Sequence, residues 1–416
     1  MLNGPVMKLH DFVKTKLREV VEKHFSRGTT DDTAFSFVGK GWSLAIDMEG
    51  SRLIYETAKE IIEKREPIKE NFNQAFIENE LRDIIFLRYE YPTTDLNSAL
   101  DQDAKDLLKY LERSPPQSWV FFIPISNLQM MVSNFTLGNA NFFNMSQSTM
   151  ERLESEYSMR FGIGNSSNER YSKIKEETHT TTFSRVTVSA AEVNKALEKA
   201  FEEVEAALNV LRLYGSSIER IGIQGEVFSP LRNIYHTNLA TKTFGSSTSR
   251  VDLAIPFTMD DSRLSLLRKE GFYDRFSQLL INKGQTELER KILTSIHWYG
   301  LGIKDTNKLD KFVKLVIALE SILLNEREEP KRYHLAERAA FILGEGKVKK
   351  RIYDRINELY RIRSRIVHEG SKDIKPEDLD DIFNFLINLI FFMIKNSEKF
   401  KSLNDVIEWI NELKFG

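Results

Sequence analysis

The most informative absence in the sequence is cysteine, which does not occur among the 416 residues. Disulfide bonds, thiolate nucleophiles and cysteine-based zinc sites are therefore excluded. A strong excess of charge of one sign is also lacking, since 59 lysines and arginines oppose 61 aspartates and glutamates, for a formal net charge of −2. A nucleic-acid partner must therefore be held by a local basic patch and not by the overall field of the protein.

Long apolar runs are absent as well. The most apolar segment, IFNFLINLIFFMI at 382–394, is too short to span a bilayer and carries Asn384 and Asn388. We therefore predict a buried helix there and expect no membrane partner. The first twenty residues have no apolar core followed by small residues, so we expect no signal peptide and a cytoplasmic location.

The first 261 residues mix helix and strand signals. Amphipathic spacing predicts helices over 10–25, 95–113 and 190–214. Aromatic and β-branched composition predicts strands in 42–48, 83–91, 118–146, 181–190, 225–230 and 250–259. A capping box of Ser189 and Glu192 is predicted to begin the third helix. The polar, glycine-bearing segment 162–180 is predicted to be a loop, and it lacks the glycine spacing followed by Lys-Ser or Lys-Thr of a phosphate-binding loop.

From about residue 262 onward nearly all of the sequence has helical periodicity, with short connections between long amphipathic segments. This pattern is typical of an antiparallel, up-and-down bundle. We therefore predict an α+β fold with a mixed α/β region over 1–261 and an all-helical domain over 262–416. A further split of the first region into two subdomains, between 115 and 165, is an alternative.

The segment LYRIRSRIVHEG at 359–370 has an unusual distribution of side chains. An α-helix advances about 100° per residue. The residues that this repeat places on the core face are Ile352, Leu359, Ile362 and Ile366. Tyr360 and Val367 form a second, smaller apolar strip about a quarter turn or more away. Such a strip is what a helix presents to a symmetric partner, so we predict that it lies in a dimer interface.

Basic and polar residues bracket this apolar strip. Arg363 flanks it on the core side, and Ser364 and His368 flank it on the other side. In a two-fold pair, Arg363 of one chain would approach His368 of the other. Arg361 and Arg365 point further out, and we predict that they contact RNA phosphates. The alternative for these two arginines is a solvated surface, paired with Glu358 or Glu369.

The arginine and histidine fit metal-independent RNA cleavage. A ribose 2′-hydroxyl attacks its neighbouring phosphate once one group removes its proton and another protonates the leaving oxygen. Histidine suits proton transfer because its pKa lies near neutrality. Arginine donates paired hydrogen bonds to the charged phosphorane. Because the ribose supplies the nucleophile, no metal or other cofactor is needed and DNA is not a substrate.

Each of these residues has a structural alternative. Arg363 and His368 would also suit an ordinary helix C-terminus, where cations interact favourably with the helix dipole. Glu320 lies in an apolar stripe and needs a cationic partner, with Arg338 and Arg363 as candidates. A purely structural ion pair is an alternative to a catalytic role for it. His334, with Arg332 and Lys331 nearby, is interpreted as part of a solvated loop, and membership of a basic patch is the alternative.

The C-terminal third resembles the HEPN superfamily, and in particular the Apea-like HEPN domains of bacterial anti-phage defence proteins. The matching segments, in the family's order, are IHWYGLG (296–302), FVKLVIALESIL (312–323), LAERAAFILG (335–344), INELYRIRSRIVHEG (356–370) and the terminal DVIEWINELKFG. The resemblance implies a helical bundle that dimerises through the helices bearing the motif. It also implies a metal-independent endoribonuclease with a composite site at the dimer interface.

The resemblance also assigns roles to individual residues. Arg363 and His368 match the catalytic pair of the family, and Ser364 occupies its polar position after the arginine. Glu320 matches the acidic residue of the ALE segment, which is implied to orient the basic pair. Because many superfamily members have lost catalysis, the alternative function is a non-catalytic interaction module for a protein or nucleotide.

The expected function is therefore RNA cleavage by a homodimer, in anti-phage defence by abortive infection or as a toxin. Residues 1–261 match no specific pattern. Proteins of this layout lead us to expect a sensor or regulatory region there, with a phage-derived trigger or a regulatory protein as its partner.

Overall fold

The computed structural model describes residues 8–27, 33–39, 42–159, 161, 164–178, 180–216, 219–224, 231–238, 243–250 and 255–415. The helices are α1 (Leu9–Lys23), α2 (Met48–Lys64), α3 (Glu66–Asn71), α4 (Gln74–Glu90), α5 (Leu96–Arg113), α6 (Gln147–Tyr157), α7 (Ser167–Thr178), α8 (Val193–Arg212), α9 (Asp261–Arg268), α10 (Phe272–Asn282), α11 (Glu287–Lys304), α12 (Lys308–Leu323), α13 (Lys331–Leu343), α14 (Lys347–Glu369), α15 (Pro376–Asn396) and α16 (Leu403–Phe415). A short 3₁₀-helix, Lys269–Gly271, links α9 to α10.

The strands of the described residues form four small sheets. They are β1 (Phe25–Arg27), β2 (Thr33–Gly39), β3 (Trp42–Asp47), β4 (Gln117–Ser126), β5 (Leu128–Met130), β6 (Asn134–Leu137), β7 (Ala140–Asn144), β8 (Thr182–Ala190), β9 (Gly222–Ile223), β10 (Leu231–Asn238), β11 (Thr243–Arg250) and β12 (Phe257–Met259). The largest sheet has the order β6-β7-β8-β4-β9, and the others are β1-β3-β2, β10-β11 and β12-β5. The predicted α+β fold, with an all-helical C-terminal region, is confirmed.

Contacts between Cα atoms divide the chain into two compact units. One comprises Met1–Val120 with Thr187–Ala200, and the other comprises Phe121–Val186 with Phe201–Gly416. The junctions therefore fall inside β4, β8 and α8, and none of them coincides with residue 262. The all-helical region from α9 onward belongs entirely to the second unit.

The first unit is built around the apolar faces of α1, α2, α4 and α5. The fully buried members from α1 and α5 are Val13, Leu17, Val20, Leu100, Ala104 and Leu111. The predicted helices over 10–25 and 95–113 and the predicted strand over 42–48 are confirmed. The strand predicted over 83–91 is wrong, because this stretch is the second half of α4. Its buried residues Ile77, Leu81 and Ile85 recur every four positions, and Asn73 caps the helix by accepting a hydrogen bond from Phe76 N at 2.8 Å.

A second correction concerns the segment 162–180, predicted as a loop. Most of it is α7, which Ser166 and Glu169 begin as a reciprocal cap. Ser166 Oγ accepts from Glu169 N at 3.2 Å, and Glu169 Oε2 accepts from Ser166 N at 3.3 Å. Arg170 then donates two hydrogen bonds to Glu154 of α6, at 2.9 and 2.6 Å, and joins the two helices.

The strands of the second unit connect directly to its helices. In the β6–β7 hairpin, Leu137 pairs with Ala140 across a turn at Gly138, whose φ is +59°. A Cβ atom at Gly138 would lie 2.9 Å from Leu280 Cβ on α10, so the close approach of hairpin and helix requires glycine. The strands predicted in 118–146 and 181–190 are confirmed. The last part of the strand predicted over 250–259 is β12. The strand predicted over 225–230 lies outside the described residues.

The C-terminal helices pack in antiparallel pairs, as their short connections predict. On α11 and α12, Lys291 Nζ donates to Leu324 O at 2.7 Å, and Ser295 Oγ donates to Ala318 O at 2.9 Å. The residue numbers rise on one helix as they fall on the other, so the two helices are antiparallel. On α13 and α14, the ring of Tyr333 lies 6.3 Å from that of Tyr353.

The most apolar segment, 382–394, lies within α15 and is largely buried, as predicted. Its fully buried residues are Ile382, Leu386, Leu389, Ile390, Met393 and Ile394. None of the helices in the described part of the chain combines the length and the apolar character needed to cross a bilayer.

Candidate active site

The candidate site is built on α14, whose core face is set by apolar residues at helical spacing. Ile352, Ile356, Leu359 and Ile362 are buried in the bundle, and Ile366 is half-buried in the last turn. The helix ends at Gly370, whose φ of +68° is a left-handed conformation that favours glycine. Ser371 N then donates to Arg365 O at 3.2 Å, which closes the helix C-terminus. The predicted core face of this helix is thus largely the observed one.

The structure brings Arg363 together with Glu320 of α12. Arg363 Nε lies 3.7 Å from Glu320 Oε1, and both side chains are about four-fifths buried. Neither of these two atoms makes a hydrogen bond. The other candidate partner, Arg338, is bound instead to Glu328 and to Leu323 O, at 2.6 Å. The sequence therefore narrowed the partner of Glu320 to two arginines, and packing selects Arg363.

Burial dominates the electrostatics of this pair. It raises the pKa of the Glu320 carboxyl above its ordinary value, although the charges of Arg363 and Lys331 act in the opposite direction. Burial, with the nearby Glu320 charge, also raises the pKa of Tyr360. The guanidinium carbon of Arg363 lies 5.9 Å from the centre of the Tyr360 ring. The arginine is thus placed between a poorly solvated carboxylate and an aromatic ring.

Glu320→Gln is expected to raise the free energy of unfolding at pH 7 and to leave it unchanged at pH 4. The folded-state pKa of Glu320 is raised, so its contribution to stability is fully present below the unfolded-state pKa. That contribution is lost as the pH rises through the folded-state pKa, whereas glutamine stays neutral. Urea unfolding at both pH values measures the difference. Lower stability of the variant at pH 7 would show that the attraction of Arg363 outweighs burial.

The predicted apolar strip lies at the surface of the single chain. Val367 is 49% exposed and Tyr360 is half-buried. Ser364, on the same side of the helix, is half-buried, and His368 is exposed. The strip is therefore accessible to a second molecule.

Arg363 and His368 do not meet within one chain. Five residues turn an α-helix by about 140°, so the two side chains leave α14 in different directions. Arg363 points towards Glu320, whereas His368 makes no hydrogen bond or ion pair with any residue that the structure describes. A site that uses both residues thus needs a second copy of the helix.

Arg361 and Arg365 are exposed, and within the described residues neither forms an ion pair. Glu358, one of their predicted partners, is bound to Arg355 at 2.7 Å. The alternative of surface ion pairs with Glu358 or Glu369 is therefore not what the structure contains.

The two arginines line a cleft of about 780 Å³, here named the α13–α14 cleft. Its lining includes Lys331, Arg332, Tyr360, Arg361, Ser364 and Arg365. For Lys331 and Arg332 the sequence favoured a solvated loop and left a basic patch as the alternative, and the structure places both residues on this cleft. They form the first turn of α13, and only the packing of α13 on α14 brings them to the predicted arginines.

A second cleft, of about 600 Å³, adjoins the first at Lys331, which lines both. Two of its other cations are held by backbone carbonyl groups. Lys291 donates to Leu324 O, and burial lowers its pKa, while Arg290 donates to Gln285 O at 2.9 Å. The four cations of the α13–α14 cleft make no such hydrogen bonds with the described residues.

One group of described residues has the composition of a metal site. Ligand atoms of His10, Asp11 and Asp101 lie within 4.8 Å of one another. Asp101, however, already accepts a hydrogen bond from Lys105 and lies 3.7 Å from Lys14. A cation would have to displace these ammonium groups, so the donor set fits a metal ion poorly.

Comparisons with family models, with curated proteins and with solved structures found no match to this chain. What can be inferred about function therefore comes from its own residues and their geometry.

Proposed function

We propose that this protein is a metal-independent endoribonuclease of the HEPN type, which acts as a homodimer. The observation that carries the proposal is the composition of one helix face. On α14, an exposed apolar strip, an exposed histidine and arginines without ion-pair partners lie side by side. Burial of the strip against a second copy of α14 would place the histidine of one chain near Arg363 of the other.

The reaction assigned to this site is an internal transesterification of RNA. The ribose 2′-oxygen forms a bond to the neighbouring phosphorus, and the bond from phosphorus to the 5′-oxygen breaks. The 2′-hydroxyl proton is removed, and a proton is delivered to the leaving 5′-oxygen. We assign proton transfer to His368 and charge stabilisation of the phosphorane to Arg363. The first products carry a 2′,3′-cyclic phosphate and a 5′-hydroxyl.

Glu320 and Ser364 complete the proposed site. Glu320 holds Arg363 on its inner side, which fixes the direction in which the guanidinium can meet a phosphate. The terminal nitrogens of the Arg363 guanidinium make no hydrogen bond with the described residues, so the guanidinium keeps these donors for a ligand. Ser364 offers a hydroxyl on the α13–α14 cleft.

A role in anti-phage defence or as a toxin is part of this proposal. RNA cleavage in the cytoplasm arrests growth, so such an enzyme requires control. We assign that control to residues 1–261, with a phage-derived trigger or regulatory protein as partner. The order of the segments that resemble HEPN domains supports the proposed role in defence. RNA cleavage is the part of this proposal that can be tested directly.

The wild-type protein is expected to cleave total RNA and tRNA in excess EDTA and to leave the matching DNA intact. Because the 2′-hydroxyl is the nucleophile, removal of divalent cations should not lower the rate. End mapping of the products, by sensitivity to phosphatase before and after acid opening, measures the cyclic phosphate. Cleavage that EDTA abolishes, or products with 5′-phosphate ends, would contradict the proposed reaction.

A non-catalytic interaction module is the second candidate. The observation in its favour is that Arg363 and His368 do not meet within one chain, while Arg363 is engaged by Glu320. Such a module would use the basic helix as a docking face for a protein or a nucleotide. If residues 262–416 dimerise, cleave no RNA and are not toxic on expression, this second candidate is favoured.

A further inference from the structure

The α13–α14 cleft contains basic residues from two helices of the same chain. Lys331 and Arg332 extend from the first turn of α13, and Arg361 and Arg365 extend from α14. The two pairs lie far apart in sequence, so the arrangement is a product of the fold and not of a local run of charge. With a volume of about 780 Å³, the cleft is large enough for nucleotide-sized groups.

The positive charge of this cleft is available to a ligand. None of the four cations forms an ion pair with a described residue, although Lys331 attracts Glu320 at longer range. Three carboxylates also line the cleft, those of Glu329, Glu358 and Glu369. Glu358 binds Arg355 at 2.7 Å, whereas Glu329 and Glu369 form no ion pair with a described residue, so four unpaired cations face two unpaired carboxylates. The balance of unpaired charge in the cleft is therefore positive, and it favours an anionic ligand.

The first turn of α13 is held in place by a buried ion pair. Arg338, which is 4% exposed, donates to Glu328 and to Leu323 O, and so fixes the connection between α12 and α13. Glu328 in turn accepts from Asn325 N at 3.1 Å. Lys331 and Arg332 follow this fixed connection directly. Their backbone is therefore pre-organised, which reduces the entropy lost when they bind a ligand.

We propose that the α13–α14 cleft binds the sugar–phosphate backbone of a single-stranded RNA beside the scissile phosphate, with Lys331 and Arg332 as substrate-positioning residues. The choice of RNA as ligand rests on the proposed function. Electrostatic contacts to phosphates are independent of sequence and are typical of arginine and lysine in grooves that bind single strands. Because Lys331, Arg332, Arg361 and Arg365 come together within a single chain, binding in this cleft does not require the dimer, whereas cleavage does.

The adjoining cleft supplies a matched control. Arg327 lines it and is the same type of residue as Arg332, but it shares that cleft with Glu287, Glu320 and Glu326. Loss of its charge should not affect a strand bound in the α13–α14 cleft. Arg327→Gln therefore controls for the general effect of one lost positive charge.

Binding is measured with a fluorescent RNA of about 12 nucleotides by anisotropy, in EDTA, on the full chain with His368→Ala to prevent cleavage. The double variant K331Q/R332Q is expected to weaken binding by about tenfold or more. Each lost phosphate contact should also flatten the slope of log K against log salt concentration by about 0.7. R327Q is expected to bind like the parent. Arg361→Gln, on the opposite wall of the cleft, should weaken binding in the same way.

Three results would overturn the inference. The first is unchanged affinity of K331Q/R332Q, with the thermal unfolding of all variants equal to that of the parent. The second is an equal loss of affinity in R327Q, which would indicate a diffuse charge effect. The third is uridine monophosphate that binds as tightly as the 12-nucleotide RNA and with the same dependence on Lys331 and Arg332, since the ligand would then be a free nucleotide. The binding assay does not measure cleavage. A wild-type protein that cleaves no RNA without its trigger therefore counts against the proposed nuclease alone, and the binding result is judged independently.

Discussion

His368→Ala is expected to lower the rate of RNA cleavage by about 10²- to 10⁴-fold, the contribution typical of a positioned acid or base. His368 is exposed and makes no hydrogen bond or ion pair with the described residues, so its removal should leave folding and dimerisation unchanged. The measurement is the single-turnover rate on a labelled RNA in EDTA, with the melting temperature and the molar mass of each variant as companion values.

His297→Ala is the matched control for this experiment. His297 is also an exposed histidine on a helix of the C-terminal bundle, but it lies on α11 beside a separate cavity of about 430 Å³. The variant His297→Ala should leave the cleavage rate unchanged. Equal rates for wild type and His368→Ala would remove the assigned catalyst, and equal losses in both variants would point to a contaminating or indirect activity.

Val367→Lys is expected to convert the dimer into a monomer and to lower cleavage at least as strongly as the loss of His368. Val367 is 49% exposed in the single chain, so lysine there does not disturb the core. In a two-fold interface through α14, two lysines would be buried close to each other without a counter-charge, which is strongly unfavourable. Lysine also avoids an added negative charge near RNA, so lost cleavage could not be ascribed to repulsion of the substrate.

Val348→Lys controls for the same substitution at the other end of α14, where Val348 is 39% exposed. Light scattering and analytical ultracentrifugation give the oligomeric state, and RNA binding is followed in parallel. The variant Val367→Lys should retain RNA affinity, because the α13–α14 cleft lies within one chain. A fully active Val367→Lys dimer would place the interface elsewhere.

Long helices with regular apolar spacing, such as α1 and α5, were predictable from the sequence, whereas α4 and α7 were not fully recognised. The C-terminal helices follow from periodicity because each buries one stripe of residues. The stretch 83–91 is rich in β-branched and aromatic residues, but its buried side chains Ile77, Leu81 and Ile85 show helical spacing only over a longer window. Tertiary packing there overrides local composition.

Two helix starts show that a capping-box pattern in the sequence can be correct at one helix and wrong at another. The pair Ser166 and Glu169 is a capping box in a segment predicted as a loop, and it was a usable signal for α7. The predicted box of Ser189 and Glu192 is wrong. Ser189 lies in β8, and the Glu192 carboxylate itself accepts from the backbone N of Asn194 and Lys195, at 2.6 and 2.8 Å. The same sequence pattern has two outcomes because the preceding strand fixes where the helix begins.

Some features of the candidate site were predictable from the local sequence, and others depend on the packing of distant helices. The positions of Arg361, Arg363 and His368 on α14 follow from helix geometry alone. The partner of Glu320 depends on how α12 packs against α14. The sequence limited that partner to two arginines, and the packing selects Arg363. A basic patch containing Arg332 was one of two interpretations, but it could not be joined to Arg361 and Arg365, because nothing local predicts that the first turn of α13 lies beside α14.

A subunit-mixing experiment tests the central claim, a composite site formed by two chains, most directly. Arg363→Gln and His368→Ala are each inactive alone under this account. In a heterodimer of the two variants, one site loses both residues and the other keeps Arg363 from one chain and His368 from its partner. Random pairing makes about half of the dimers heterodimers, so the mixture should recover about a quarter of the wild-type cleavage rate in EDTA. A mixture that exchanges subunits and stays inactive would contradict a catalytic site shared between two copies of α14.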